Sequence, residues 1–147
     1  MRNSLTSLIK KKIRTYLSQN PSISFALLFG SCVKGMEYAL SDIDIGIYFT
    51  ETISLYEFGI LVCDLERLTG KKIDLVELNH LDERDIRFAY QIVTGSEILV
   101  CKNENAWINY KTKVILYYLD LEPLLCQVEA RFRKRIEENK FGIYNYA

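Results

Sequence analysis

Three aspartates and one glycine–serine pair stand out in this chain. Asp42 and Asp44 are separated by a single residue, in Ser41-Asp42-Ile43-Asp44. On a strand, residues i and i+2 point to the same face, so the two carboxylates project together while Ile43 and Ile45 turn toward the core. Carboxylates held this close repel unless a cation or a proton lies between them. Oxygen-only ligands suit a hard cation, Mg²⁺ before zinc or copper. A third carboxylate, Asp74, lies within the apolar run Lys72-Ile73-Asp74-Leu75-Val76. If the strands carrying Asp44 and Asp74 are neighbours, the three converge, and three could hold two magnesium ions in line for phosphoryl-type chemistry. Gly30-Ser31 supplies the complementary half. A strand ending in Gly and then Ser presents backbone N–H groups and a hydroxyl to a phosphate, and Gly lets that phosphate approach closely. Lys34, about one turn onward, would add positive charge.

Each element alone is weak. A Gly-Ser turn is usually only a turn, and a lone Asp-x-Asp is usually a strand end. Together, with ten residues between Ser31 and Asp42, they are far more specific.

The surrounding pattern must place these groups. Leu5, Leu8, Ile9, Ile13, Tyr16 and Leu17 recur at helical spacing, which predicts a helix over 3–19, ended by Asn20-Pro21-Ser22. Ile23 to Phe29 reads as a buried strand, and 32–39 as a short helix or loop. Asp42 to Phe49 reads as a second strand, Leu55 to Leu68 as a helix stopped by Gly70, and Lys72 to Leu78 as a third strand. Residues 82–94 are expected to be helical, and Glu97 to Cys101 to add an edge strand. Residues 104–138 carry one apolar stripe (Val114, Tyr118, Leu121, Leu125, Val128, Phe132, Ile136), which Pro123 should kink or divide. That order gives an α/β domain, a small mixed sheet backed by helices, with a long C-terminal helix or helix pair. One domain spanning 1–147 is expected, with its core at about 20–101 and a helical extension at about 104–138.

Composition narrows the function classes. Basic and acidic residues number 19 each, so no global positive field exists for gripping nucleic acid, and template-directed polymerisation is an unfavoured reading. The run Lys10-Lys11-Lys12 with Arg14 is best read as a solvated helix face. The four cysteines are dispersed and there is one histidine, which argues against a zinc site. Cys63 and Cys101 lie in apolar runs and are expected to be buried thiols. No apolar stretch approaches the roughly 20 residues of a membrane span, and Met1 to Asn20 is amphipathic, so a cytoplasmic protein is expected. His80 is expected in a loop and Trp107 as a packing anchor. The ten tyrosines, Tyr110, Tyr117, Tyr118, Tyr144 and Tyr146 among them, would suit a protein interface or ordinary packing equally.

Gly30-Ser31, ten residues, then Asp42-x-Asp44 resembles the signature of the DNA polymerase β-like nucleotidyltransferase superfamily. The Leu28-Phe29 lead-in, Gly35 and Ser41 resemble its smallest members, the minimal nucleotidyltransferases (MNT). Asp74 falls where that family carries its third carboxylate, and Gln91 to Leu99 resembles its closing helix and strand. The terminal helices fit the antitoxin branch. One departure is Cys32-Val33-Lys34, where relatives often carry arginine. The resemblance implies that Asp42 and Asp44 bind two magnesium ions, that Asp74 binds the catalytic one and activates the attacking hydroxyl, and that Gly30 and Ser31, with Lys34 and Ser41, hold the nucleotide. It implies transfer of AMP from ATP to a tyrosine of a HEPN-type ribonuclease toxin, which is thereby silenced. Alternatives are a small-molecule acceptor such as an aminoglycoside, disfavoured by the short segment after Cys101, and neutralisation by binding alone, disfavoured by the complete carboxylate set. Self-association through the C-terminal stripe is left open.

Overall fold

The alternation of β2 (Ile43–Phe49) organises the molecule: Ile43, Ile45, Ile47 and Phe49 are almost fully buried on one face, and the intervening residues open onto the other. The computed structural model describes residues 2–33 and 42–138. Its elements are α1 (Arg2–Ser18), β1 (Ile23–Phe29), a 3₁₀ turn (Gly30–Cys32), β2, α2 (Leu55–Thr69), β3 (Ile73–Glu77), α3 (Leu81–Arg84), α4 (Ile86–Gly95), β4 (Glu97–Cys101) and α5 (Glu104–Glu137). The strands form one mixed sheet in the order β3-β2-β1-β4. β1 pairs antiparallel with β2 and β4, and β2 pairs parallel with β3. This is the expected α/β class, with β4 as the expected edge strand. The polymerase β-like architecture and the long C-terminal helix are both present.

Helices cover both faces of the sheet. On one, Ile13 and Leu17 of α1 and Leu61 and Leu65 of α2 pack on Ala26, Leu28 and the isoleucines of β2. On the other, Ala89, Ile92 and Val93 of α4 and Tyr110 and Val114 of α5 pack on Phe25, Leu27 and Leu78. The central sequences are apolar because both sides of the sheet are covered. α2 begins with a capping box, the Ser54 hydroxyl accepting from the Glu57 N–H and the Glu57 carboxylate from the Ser54 N–H. It ends at Gly70 in the left-handed region, φ 68°.

Three expectations are corrected. The segment 82–94 is two helices, because Asp85 adopts a non-helical conformation (φ −152°, ψ 84°) and its side chain accepts from the Phe88 N–H, starting α4 afresh. Pro123 does not divide α5, which continues through it. Pro123 is exposed there, so the Leu119 carbonyl it leaves without a helical donor can turn to water. Cys63 and Cys101 are exposed: Cys63 lies on the side of α2 away from Leu61 and Leu65, and Cys101 ends an edge strand. The stripe on α5 is covered only in part. Val114 is buried, whereas Val128, Phe132 and Ile136 are more than half exposed. A helix of 34 residues is about 50 Å long and outruns a sheet of this size. His80 is exposed between β3 and α3, as expected. Trp107 packs edge-to-face on Phe25, 5.2 Å between centroids. Lys34, Gly35, Ser41, Tyr144 and Tyr146 lie outside the described residues.

Candidate active site

Strand register gathers the groups that the sequence singled out. Antiparallel pairing sets Phe29 opposite Asp44, so Gly30 follows directly at the end of β1. Parallel pairing sets Asp44 opposite Asp74. With strands about 4.8 Å apart, Asp44 sits centrally between the glycine turn and the third carboxylate. Asp42 lies one step outward on the same side of β2, near Lys72 (Oδ2 to Nζ, 3.9 Å). That contact is largely solvent-exposed and holds little.

Gly30 fits this place for two reasons. Its φ of +78° is the left-handed conformation that side chains disfavour. A Cβ there would stand 2.1 Å from Asp44 Oδ2, so the carboxylate occupies the volume that any other residue would fill. Ser31 follows, half-buried in the 3₁₀ turn that the Val33 N–H closes onto the Gly30 carbonyl oxygen (3.2 Å).

Charge is uneven across the three carboxylates. Asp44 has its pKa raised above the usual carboxylate value, first by burial, then by the negative charge of Asp74, then by that of Asp42. Burial and two like charges all penalise its ionised form. Among the described residues the three carboxylates are not drawn into one tight cluster. They form an open arc, with Asp74 exposed, Asp42 partly exposed and Asp44 deepest. An acceptor-only arc whose innermost member is disfavoured as a bare anion is suited to hard divalent cations. A divalent cation there would offset the penalty on Asp44.

Asp44 and Asp74 open on a cleft of about 840 Å³, which Asp42 and Ser31 do not line. Its floor is Phe29, Gly30, Asp44, Asp74 and Val76, and its far wall is one face of α4: Phe88, Gln91, Ile92, Thr94 and Gly95. Phe88 meets Phe29 edge-to-face at 5.8 Å, fixing the wall against the floor. The motif does not identify this wall. Its signal is the three- and four-residue spacing of 88, 91, 92 and 95, which puts those residues on one side of a helix. Cleft volume and polar floor are in the range for a nucleotide-sized ligand.

Residues 11–105 match the family model described as polymerase beta, nucleotidyltransferase. Two candidate protein adenylyltransferases of Methanocaldococcus jannaschii are similar over 73 residues each. One is 33% identical, covering 50% of this chain and 85% of the relative; the other is 34% identical, covering 50% and 77%. Among solved structures, a toxin–antitoxin complex with AMP-PNP superposes with a TM-score of 0.72 at 23% identity, over 84% of this chain and 98% of that one. A complex of a tri-AMPylated Shewanella oneidensis HEPN toxin with its MNT antitoxin superposes with a TM-score of 0.69 at 22% identity, over 87% and 98%. These two likenesses concern the fold. The chain therefore belongs to the polymerase beta nucleotidyltransferase family.

Proposed function

We propose that this chain transfers AMP from ATP to a tyrosine hydroxyl of a HEPN-type toxin and acts as that toxin's antitoxin. One observation carries the reading: register places Asp44 beside both Gly30 and Asp74, so the glycine turn and two of the three carboxylates share one cleft. Support for a protein acceptor comes from the candidate protein adenylyltransferases that the chain resembles. Support for the partner comes from the folds it shares with antitoxins in complex with toxins, one of them AMPylated.

In this reading Asp42, Asp44 and Asp74 would hold magnesium. Bound there, magnesium neutralises the triphosphate and polarises the α-phosphate. Gly30 offers its backbone N–H, and Ser31 its hydroxyl, to phosphate oxygens. Lys34 and Ser41, outside the described residues, complete the nucleotide set. Asp74, the most exposed of the three, accepts the proton of the tyrosine hydroxyl as that oxygen bonds to the α-phosphorus. The bond from the α-phosphorus to the bridging oxygen breaks, and pyrophosphate leaves. The wall of α4 limits water at the cleft, which favours the hydroxyl acceptor over hydrolysis. No helix among the described residues is long and apolar enough to cross a membrane. The proposed site of action is the cytoplasm, where ATP and a ribonuclease toxin coexist.

Incubating the purified chain with magnesium, the toxin and ATP labelled in either the α- or the γ-phosphate tests the reading. Label should enter the toxin from the α-position only, and fail to enter with Asp44→Asn. Efficient labelling of an aminoglycoside in place of the toxin would overturn the protein acceptor.

A further inference from the structure

β3 is an outer strand of the sheet, and its free side is not blunted. In a parallel pair a residue's N–H and C=O point the same way, and the direction alternates along the strand. The Ile43 N–H donates to the Lys72 carbonyl (3.0 Å) and the Leu78 N–H to the Ile47 carbonyl (2.8 Å), so even-numbered residues of this stretch face β2. The backbone groups of Ile73, Leu75 and Glu77 therefore face outward. The Ile73 N–H is already taken by Glu66 Oε1 (3.3 Å). Among the described residues, Leu75 and Glu77 have no hydrogen-bond partner on that side. Proteins usually guard such an edge with proline, a bulge or charge; Leu75-Val76-Glu77 has no proline and no bulge, and Glu77 is its one charge.

The edge opens into a second cleft of about 560 Å³ between the start of α2 and α3. Ile53, Leu55, Phe58, Leu75 and Leu81 make it mostly apolar, with Arg84 as its basic group and Glu77 as its acidic one. Leu55 is 87% exposed, a large apolar side chain in a first helical turn that packs on nothing. Val76 lines this cleft and the carboxylate cleft alike, so the two lie on either side of one residue of the strand.

We infer that the outer edge of β3 is a docking strip for an extended segment of the acceptor polypeptide, which adds as a further strand beside Leu75 and Glu77. The inference rests on the AMP-transfer reading and specifies how the acceptor is held. Unpaired backbone donors and acceptors in register select an extended chain rather than a helix, and the apolar cleft takes its alternate side chains. A second argument fixes the occupant as the acceptor. A strand added here lies about 4.8 Å from β3, and its residues on the Asp74 side hang over the exposed carboxylate. A tyrosine carried at that position brings its hydroxyl to the group proposed to take its proton.

The test uses the Asp42→Asn/Asp44→Asn chain, isotopically labelled and bound to the HEPN toxin, so that docking is read without turnover. Amide hydrogen exchange at Leu75 and Glu77 should slow by about tenfold or more in the complex, while Asp74 and Val76, already paired to β2, should not change. Glu77→Pro in the otherwise native chain removes one outward donor and no ladder bond. It should weaken toxin binding and kcat/KM for AMP transfer together, by about tenfold, with AMP-PNP and magnesium binding unaltered. Leu55→Lys, at an exposed position, should weaken binding in the same direction without any change to the strand. Toxin bound with Leu75 and Glu77 exchanging at their unbound rates, or bound equally well by Glu77→Pro and Leu55→Lys, would overturn the docking strip. Protection at both amides without AMP transfer by the native chain would uphold the strip and overturn the transfer reading instead.

Discussion

The two faces of β2 make different use of neighbouring residues. Ile43, Ile45, Ile47 and Phe49 are each at most 3% exposed and lie under α1 and α2. Asp42, Asp44 and Tyr48, one residue out of step, line the other face. There Tyr48 closes an aromatic cluster with Phe25 and Tyr110 (centroids 4.9 and 5.3 Å away), and the aspartates open the cleft. β2 thus supplies core packing from its odd-numbered residues, while the proposed chemistry falls to Asp44 within it and Asp42 just before it. The lesson is that an acidic site can be built into a core strand at small cost if its carboxylates lie at the strand's open end. The penalty on Asp44 is of the sign that a cation removes.

Substitutions on the two faces should separate these roles. The largest effect is expected from Asp42→Asn/Asp44→Asn, which should lower AMP transfer by about a thousandfold or more without lowering the melting temperature. A loss of fold would mean that the acidic face is structural as well. Leu65→Ala, beneath the opposite face, should cost about 2–5 kcal/mol in urea unfolding while leaving the transfer rate of the folded protein within about threefold. Gly30→Ala joins the two classes. Strain at φ +78° and the clash with Asp44 should cost about 1–2 kcal/mol of stability and, by displacing the carboxylate, about a hundredfold in rate.

Smaller effects sharpen the same contrast. The folded chain holds a proton on Asp44 more tightly than the unfolded chain, whose value is near 3.8. The metal-free protein should therefore lose stability as pH rises from 3.8 through the raised value. Asp44→Asn should remove that slope and melt slightly higher at neutral pH, a small change because solvent screens a partly exposed group. Added magnesium should stabilise the native chain and not this variant, as read by thermal melting. Smallest of all, Lys10→Ala removes one of two cations on Glu97 (3.0 Å; Arg14 remains at 3.1 Å), and should shift stability by less than about 0.5 kcal/mol with no effect on transfer.

Much of this arrangement is legible in the sequence, for identifiable reasons. Alternation in Asp42 to Phe49 fixes which residues face the core, because the period of a strand is two. Gly30 to Asp44 is a local motif, and locality is what a sequence displays best. The wall of α4 is not legible in the motif, since Phe88, Gln91 and Thr94 reach the cleft only through tertiary packing. Cys63 and Cys101 mislead for the same reason: an apolar neighbourhood in sequence does not say which side of a helix or which strand is outermost. Asp85 could have been read as a break, being an N-cap residue three positions before Phe88, but the continuous apolar spacing around it masks the signal. The exposed end of α5 follows from the length of the sheet beneath it, which the stripe itself does not encode.

The intact mass of the HEPN toxin, after co-expression with this chain or with its Asp42→Asn/Asp44→Asn variant, tests the central claim most directly. An increase by whole AMP units with the native chain, and none with the variant, is the expected result. A toxin of unmodified mass, held equally well by both chains, would contradict it.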